Sequence, residues 1–556
     1  MNFLKTTSAR SRAVICCMTL ILLIATVPGM AAWRAPETVV TDITGEWDLF
    51  PLGSAYLSPT SMLSLWGESN YGDGSIDTDD KYAIYAQHAS GGSVSPASSL
   101  WASDPGHAIW WAEFAGNERG AGVLVWLDSE YAPPPLSPVL RVYAMRWNGV
   151  SWSSAEVLQQ GANIDLVRSS VDEDGVAFIT WSRDSEVFWS YFDSTTDQWK
   201  TTYAGPGTAP DIAAEADGHF TLMWSDANTV MHARGQYATL TAPEALSAPG
   251  GSHNPRVVHV EGHTVAAWLA LDSQANLGVW AFHGSKGPDA ARQISGDAPV
   301  DVDDLDIAVN KWGDAAVTWI DDNGTPAWSV DDGFVYLSRL SSDSSGGGTW
   351  SEPEQMFSGP GNVPRVVVND ARQVIVARNK WNGADTLLEM KQWNGGTWTT
   401  AGPAIGETAF WIEFGSNALT GETLMMWSGL DGANMTLSEA RHIADYGLRA
   451  IVDGNGGIAA KGASVCGSDC TTYHERGTSV VLDATPDEGA SFSHWAGCTA
   501  AAGSECTVEL YSPRVVKAVF TGPEGKSSGG GGGGGAIDLA LFGLLGALAL
   551  ARRRRA

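Results

Sequence analysis

Seven stretches of this chain repeat one pattern: an alternating apolar run, a Gly- or Asp-bearing turn, and a second alternating run. "VRSSVDEDGVAFITWS", "PDIAAEADGHFTLMWS", "PRVVHVEGHTVAAWLA" and "LDIAVNKWGDAAVTWI" close on Trp181, Trp224, Trp268 and Trp319. "WAEFAGNERGAGVLVW" and "WIEFGSNALTGETLMMW" end at Trp126 and Trp427, and "PRVVVNDARQVIVARN" carries Arg378 where the others carry Trp. Period-two alternation on both sides of a turn is two strands and a hairpin. Several units add a third strand and an aromatic-capped fourth, as in "VFWSYFDSTTDQW" from Val187 to Trp199. Strand-only repeats of this size predict a radial β-propeller of about seven four-stranded blades over residues 40–440, with six to eight compatible with the spacing. Residues 41–105 are weakly repetitive and have room for an eighth unit, and "YAIYAQH", Tyr82 to His88, is expected to supply a strand that closes the ring.

The repeat decides how the aromatic residues are read. The chain has 25 Trp, and exposed Trp stacks well on sugar faces. Yet Trp126, Trp181, Trp224, Trp268, Trp319 and Trp427 recur at one register position, where packing between blades is expected. Trp66, Trp110, Trp312, Trp328 and Trp381 fall outside that register and are the candidates for binding. "RWNGVSW" (Arg146 to Trp152) and "QWNGGTW" (Gln392 to Trp398) are read as outer hairpins. In each, one Trp ends a strand, Asn-Gly supplies the positive φ angles of a tight turn, and the other Trp begins the return strand.

The pattern resembles repeats of secreted bacterial propellers and, more distantly, sialidase-like propellers. The sialidase resemblance implies three carboxylate-binding arginines, a Tyr–Glu nucleophilic pair and Ser-x-Asp-x-Gly-x-x-Trp turns. This chain departs from it, since "SSDSSGGGTW" places Asp343 seven residues before Trp350 instead of five. Arg168, Arg256 and Arg365 nevertheless lie on first strands, which line a propeller's central channel, where they would receive an anion. No HExxH, GxSxG or phosphate-loop motif is present, so no catalytic residue is assigned. A glycosidase acid pair would be spatial and is not visible in sequence.

The ends of the chain are read from composition. Lys5, Arg10 and Arg12 precede an apolar run from Ala13 to Val27 and small residues at Gly29, Ala31 and Ala32. This order predicts a signal peptide at 1–32. The tail has Gly529, Gly530, Gly531, Gly532, Gly533, Gly534 and Gly535, then an apolar stretch from Ala536 to Ala551, then Arg552 to Arg555. It reads as a linker (523–535) and an apolar helix with a basic stop (536–556), that is, a membrane anchor. It resembles the Gly-Gly type of bacterial C-terminal sorting signal, which implies cleavage near the glycines by a rhomboid-like sorting protease. The chain has 33 Lys and Arg against 63 Asp and Glu. Without leader and Arg tail the bases fall to 26, giving a net charge near −37. Such a surface repels phosphate backbones and excludes nucleic acid as a partner.

Cysteine usage separates a second module. Cys16 and Cys17 lie in the leader, and Cys466, Cys470, Cys498 and Cys506 are clustered in one exported segment, the pattern of disulfides in an oxidising compartment. Local pairs 466–470 and 498–506 are favoured among three connectivities, and a four-thiolate zinc site is the alternative. Residues 446–522 resemble the divergent internalin-type B repeat. The match runs through Gly454, Gly456, Cys466-Gly467, Cys470, Tyr473, Gly477-Thr478, Pro486, Gly489, Phe492, Trp495, Gly497-Cys498, Cys506 and Val516-x-Ala518-x-Phe520. The resemblance implies a small β-grasp-like surface spacer without chemistry of its own. No cofactor or metal is assigned, although Asp301 to Asp306 and Gly72 to Asp80 offer oxygens suited to calcium. The expected function is binding or scaffolding at the bacterial cell surface, adhesin- or lectin-like, toward a glycan or a surface protein. A polysaccharide-acting hydrolase or lyase working at the channel mouth is the alternative.

Overall fold

The computed structural model describes residues between Ala32 and Thr521, omitting the longer stretches 70–80 and 322–332 and several shorter ones. The leader and the C-terminal tail lie outside the described residues, and no described helix is long and apolar enough to cross a membrane. The described residues cluster into two compact units, one running to Leu448 and the other drawn chiefly from residues after it.

Among the described residues of the first unit, eight antiparallel sheets succeed one another along the chain, seven with their strands in sequential order and the last joined by N-terminal strands, which is the architecture of an eight-bladed propeller. The inner strands are Asp48–Ser58, His107–Gly116, Ile164–Val171, Thr208–Ala214, His253–Val260, Val302–Val309, Asn362–Val368 and Thr408–Ser416. Numbered in that order, they define blades 1 to 8, and each inner strand neighbours the next around the ring.

The eighth unit is blade 1, hidden in the weakly repetitive N-terminal region. Trp66 lies on its second strand, Ser61–Ser69, is buried, and stacks on Tyr85 at 5.8 Å. Trp66 is therefore the register tryptophan of blade 1 and not a binding candidate. Ring closure is also corrected. Tyr82–Ser90 is the third strand of blade 1, pairing with Ser61–Ser69. Ala32–Trp33 and Glu37–Thr41 instead pair with Asn434–Ile443 of blade 8, so the N-terminal strands complete the last sheet.

Eight apolar clusters fill the ring, one between each pair of neighbouring blades. Trp126, Trp181, Trp224, Trp268, Trp319 and Trp427 are all at most 1% exposed, and each joins such a cluster. Truncating a side chain of this kind to Ala typically costs about 3–5 kcal/mol. Arg378 takes the tryptophan's place in blade 7 and is fully buried. Its Nη2 lies 2.6 Å and its Nε 3.0 Å from Glu389 Oε2, and its Nη1 donates to the Gly359 carbonyl at 2.6 Å. The charge is tolerated there because every face of the guanidinium finds a partner.

The two WNG stretches are outer hairpins. Trp147 bridges Trp152 and Trp393 pairs with Trp398, with ring centroids 5.7 and 5.5 Å apart. The first turn differs from the expected two-residue type. Only Gly149 has positive φ, and Asn148 Oδ1 accepts from the N–H groups of Val150 and Ser151 across a four-residue loop. The second pair is held by blade 6: Arg339 lies 3.6 Å over Trp393, and Trp398 Nε1 donates to Glu354 at 2.9 Å.

The inner hairpins carry a second repeated device. The side-chain oxygens of Asn117, Asp172 and Asn310 each accept the N–H groups two and four residues on. The same side chains reach the next hairpin: Asn117 donates to the Asp172 carbonyl, Asp172 accepts from Gly218 N–H, and Asn310 donates to the Asn369 carbonyl. An Asx turn thereby doubles as a staple between blades.

After the propeller the described residues are again all β. One sheet has the order Asp469–Glu475, Asp445–Asp453, Arg514–Thr521, Ser491–Ala496. The other has the order Val465–Cys466, Gly456–Ala460, Ser479–Pro486, Glu505–Glu509, Ala500–Ala502. Cys498 and Cys506 form a disulfide with Cα atoms 5.6 Å apart. The side chains of Cys466 and Cys470 lie outside the described residues.

His442, on the blade 8 strand that pairs with Ala32–Trp33, is fully buried, packs at 5.2 Å on Trp33, and has no hydrogen-bond partner among the described residues at either ring nitrogen. Burial pulls its pKa down from 6.5 to about 4, so the folded state excludes a proton that the unfolded chain takes up. A depressed folded pKa contributes stability above pH 6.5 that is lost as pH falls through about 4. Thermal unfolding between pH 7 and 4 should show His442→Leu losing less stability than wild type, by up to about 1.4 kcal/mol per pH unit below 6.5. Parallel pH profiles for the two proteins would refute the assignment.

Candidate functional site

Each inner strand of the propeller contains a bulge, and the bulge precedes a fixed register position. Irregular pairing falls between Pro51 and Gly53, Ile109 and Trp111, Asp165 and Val167, and Thr208 and Asp211 in blades 1 to 4. It falls between His253 and Arg256, Val302 and Leu305, Asn362 and Arg365, and Ala409 and Ile412 in blades 5 to 8. Leu166, Ala209 and Asn254 take positive φ inside these bulges, a conformation costing a non-glycine residue about 1–2 kcal/mol. A bulge inserts one unpaired residue and re-aims the strand beyond it.

Beyond the bulges the inner strands carry a ring of charge. The residue paired with the position before the register aromatic is Glu113 in blade 2, Arg168 in blade 3, Asp211 in blade 4 and Arg256 in blade 5. It is Asp306 in blade 6, Arg365 in blade 7 and Glu413 in blade 8. Signs alternate around these seven blades. All seven side chains line one central cavity of about 1240 Å³. The channel is thus open and ringed by charge.

Arg168, Arg256 and Arg365 stand on the channel wall, but not as free anion receivers. Arg168 Nη1 lies 3.1 Å from Glu113, and Arg365 Nε lies 3.6 Å from Glu413. Arg256 stands between Asp211 and Asp306, at 4.0 Å from each. Three of the four acids also reach the following blade: Glu113 accepts from Ser169 N–H at 2.8 Å, Asp211 from Val257 N–H at 2.9 Å, and Asp306 from Val366 N–H at 2.8 Å. Burial pushes the Asp211 carboxyl up, and Arg256 and Arg168 pull it back. Desolvation would lower Arg256, but Asp211 and Asp306 overcome it and hold the guanidinium above its ordinary value. Burial also raises Glu413, with Arg365 opposing and Asp306 and Glu113 adding to the rise.

Aromatic residues join the ring in the cavity wall. Trp110 is 64% exposed, Trp411 49% and Trp111 38%, and all three line the cavity. Phe50 and Tyr82 of blade 1 line it too; Phe50 meets Tyr82 at 5.1 Å and the edge of Trp411 at 6.4 Å. Arg168 lies 4.4 Å over the Trp111 ring. Trp110 is off-register in the sequence, whereas Trp111 and Trp411 escape a reading by register alone. The signal for them is the match of "WAEF" with "WIEF", which puts both two residues before the ring glutamates Glu113 and Glu413.

The other candidates fall elsewhere. Trp312 is a staple: its Nε1 donates to the Asp370 carbonyl of the next hairpin at 2.9 Å, with Lys311 and Arg372 against its ring. Trp328, the side chain of Trp381, Gly72 to Asp80, and the side chains of 301–304 lie outside the described residues. Among the described residues no group of three or more His, Cys, Asp or Glu could hold a metal ion.

Comparison with known proteins places residues 457–523 in a match to the divergent InlB B-repeat domain. No curated protein matches the chain. A solved structure of a protein of unknown function from Dyadobacter fermentans is similar over 61% of this chain and 95% of its own, at 10% identity and a TM-score of 0.35. The polysaccharide lyase Uly1 is similar over 60% and 89%, at 10% identity and 0.34. An α-L-arabinofuranosidase from Fusarium graminearum is similar over 50% and 92%, at 13% identity and 0.30.

Arg256 faces two carboxylates at once, so its removal takes a cation from both. Arg256→Ala should destabilise the protein by about 2 kcal/mol in urea unfolding, less than the 3–5 of a fully buried pair because channel water screens the charges. Arg256→Lys should recover part of the loss, and an unchanged midpoint for Arg256→Ala would show that the ring does not brace the blades.

Proposed function

We propose that this chain is an exported bacterial envelope protein whose propeller binds a glycan at its central cavity, with the B-repeat module as spacer. The observation that carries the reading is the convergence of Trp110, Trp111 and Trp411, all solvent-accessible, on one open cavity. Large aromatic surface left exposed beside oriented polar groups is the usual make-up of a ligand site. The ring charges are paired with one another, which suits holding a ligand. A site of about 1240 Å³ has room for several linked sugar rings.

On a glycan array the protein should bind a restricted set of glycans, and Trp411→Ala should weaken binding at least tenfold, about 1.4 kcal/mol. Unchanged binding by Trp411→Ala and Trp110→Ala would overturn the assignment. A specific observation keeps the hydrolase or lyase reading in view: burial raises the Glu413 carboxyl on the wall of the same cavity as Glu113, and a carboxyl held toward protonation suits acid catalysis at a glycosidic oxygen. New reducing ends during incubation, abolished by Glu413→Gln, would move the assignment there.

The surface location rests on the leader, the B-repeat match and the glycine–apolar–arginine tail. Sorting cleavage near Gly529 to Gly535 should release protein whose intact mass lacks Arg552 to Arg555. Released protein that retains them would refute the sorting signal.

A further inference from the structure

The charge ring has one position that breaks its alternation. In blade 1 the residue paired with the position before Trp66 is Gly53, opposite Leu65. Its neighbours in the ring are Glu413 of blade 8 and Glu113 of blade 2, so alternation would put a cation between them. Four acids against three arginines leave the ring one positive charge short. Gly53 has φ +137°, and a Cβ there would stand 3.2 Å from the Phe114 carbonyl, so the backbone itself disfavours a side chain. The fold keeps this eighth seat unfilled by its own residues.

Aromatic residues of blade 1 and of its two neighbours share the cavity wall with the seat. Phe50 and Tyr82 come from blade 1, Trp111 from blade 2 and Trp411 from blade 8, and all four line the cavity with Gly53. Aromatic faces attract cations by about 0.5–2 kcal/mol each when desolvated. Arg168 over Trp111 shows the same contact made within the protein. The neighbouring Ser54 Oγ is buried and has no hydrogen-bond partner among the described residues. Burial chiefly raises the Glu413 carboxyl, with Asp306 and Glu113 adding to the rise, and a cation beside Glu413 would oppose it. The protein's net charge of −30 adds a field that draws cations inward.

We infer that the seat at Gly53 takes an organic ammonium group, that of a free amino sugar whose ring lies against Trp111 or Trp411. The inference rests on the glycan-binding reading and names the glycan's chemistry. The tryptophan platforms favour a sugar body over a flexible aliphatic chain, and the pair of glutamates favours an amine over its acetylated form.

The test is calorimetric titration of the full-length protein with a glucosamine tetramer, an N-acetylglucosamine tetramer and trilysine. The glucosamine tetramer should bind at least tenfold tighter than its acetylated counterpart, and the preference should shrink with added salt. Glu413→Gln should remove the preference while keeping weak binding of the acetylated tetramer. Equal affinity for the two tetramers overturns the inference without any variant being needed, as does a preference that survives in both Glu413→Gln and Glu113→Gln. Trilysine binding more tightly than the amino sugar overturns it in favour of a basic peptide. Glycan binding with no amine preference sinks this inference alone, whereas absence of any glycan binding sinks the broader reading.

Discussion

Every blade of this propeller is apolar on both faces, and neither face can be buried except against a neighbour. The eight apolar clusters are all interfaces, none of them internal to one blade. An open array would leave two such faces in water at its ends, so closure is the condition on which the remaining structure depends. Closure is made by Glu37–Thr41 and Ala32–Trp33 on the last blade, a pairing that spans some four hundred residues of sequence. Loop-closure entropy grows only slowly with length, so one long-range pairing is thermodynamically affordable once the intervening interfaces have formed.

Closure also makes the cavity. Eight inner strands held in a ring leave a central space, and the bulge in each strand fixes which residue faces it. The same register position supplies a side chain from every blade but one. Its charges are linked blade to blade, with Glu113, Asp211 and Asp306 each accepting a main-chain N–H from the following inner strand as well as facing an arginine. The ring therefore braces the channel wall while lining it, and a polar cavity becomes compatible with a folded core because its charges arrive with partners.

Much of this was legible in the chain. Strand repeats, the register tryptophans and the arginines of the first strands all come from period-two alternation read against a repeat. The features that escaped have physical causes. Blade 1 was hidden because its hairpin, between Ser58 and Ser61, lacks the Asx–Gly turn that marks other units, so Trp66 read as out of register. Trp312 read as free because its partner, the Asp370 carbonyl, belongs to the next repeat. Bulges shift the apparent alternation by one residue, which is why register alone gives no sign that Trp111 and Trp411 line the cavity. Pairing between side chains of successive blades is a property of the closed ring, and no local window of sequence contains it.

The open seat at Gly53 is the extreme case of such a ring property. A glycine in an N-terminal strand has no meaning as a sequence feature, and a missing charge is invisible until its seven counterparts are known. Once the ring is assembled, the glycine is the one place where the wall carries two carboxylates without a cation of its own between them. A side chain there would have completed the alternation and filled part of the cavity. The positive φ of Gly53 and the nearness of the Phe114 carbonyl work against one. The geometry that closes the propeller thus also leaves this seat without a side chain, in the same cavity wall as the exposed aromatic rings of blades 2 and 8. Specificity at such a seat arises from a charge the fold leaves out, and a ligand that supplies it gains what Arg168, Arg256 and Arg365 already provide at the other positions.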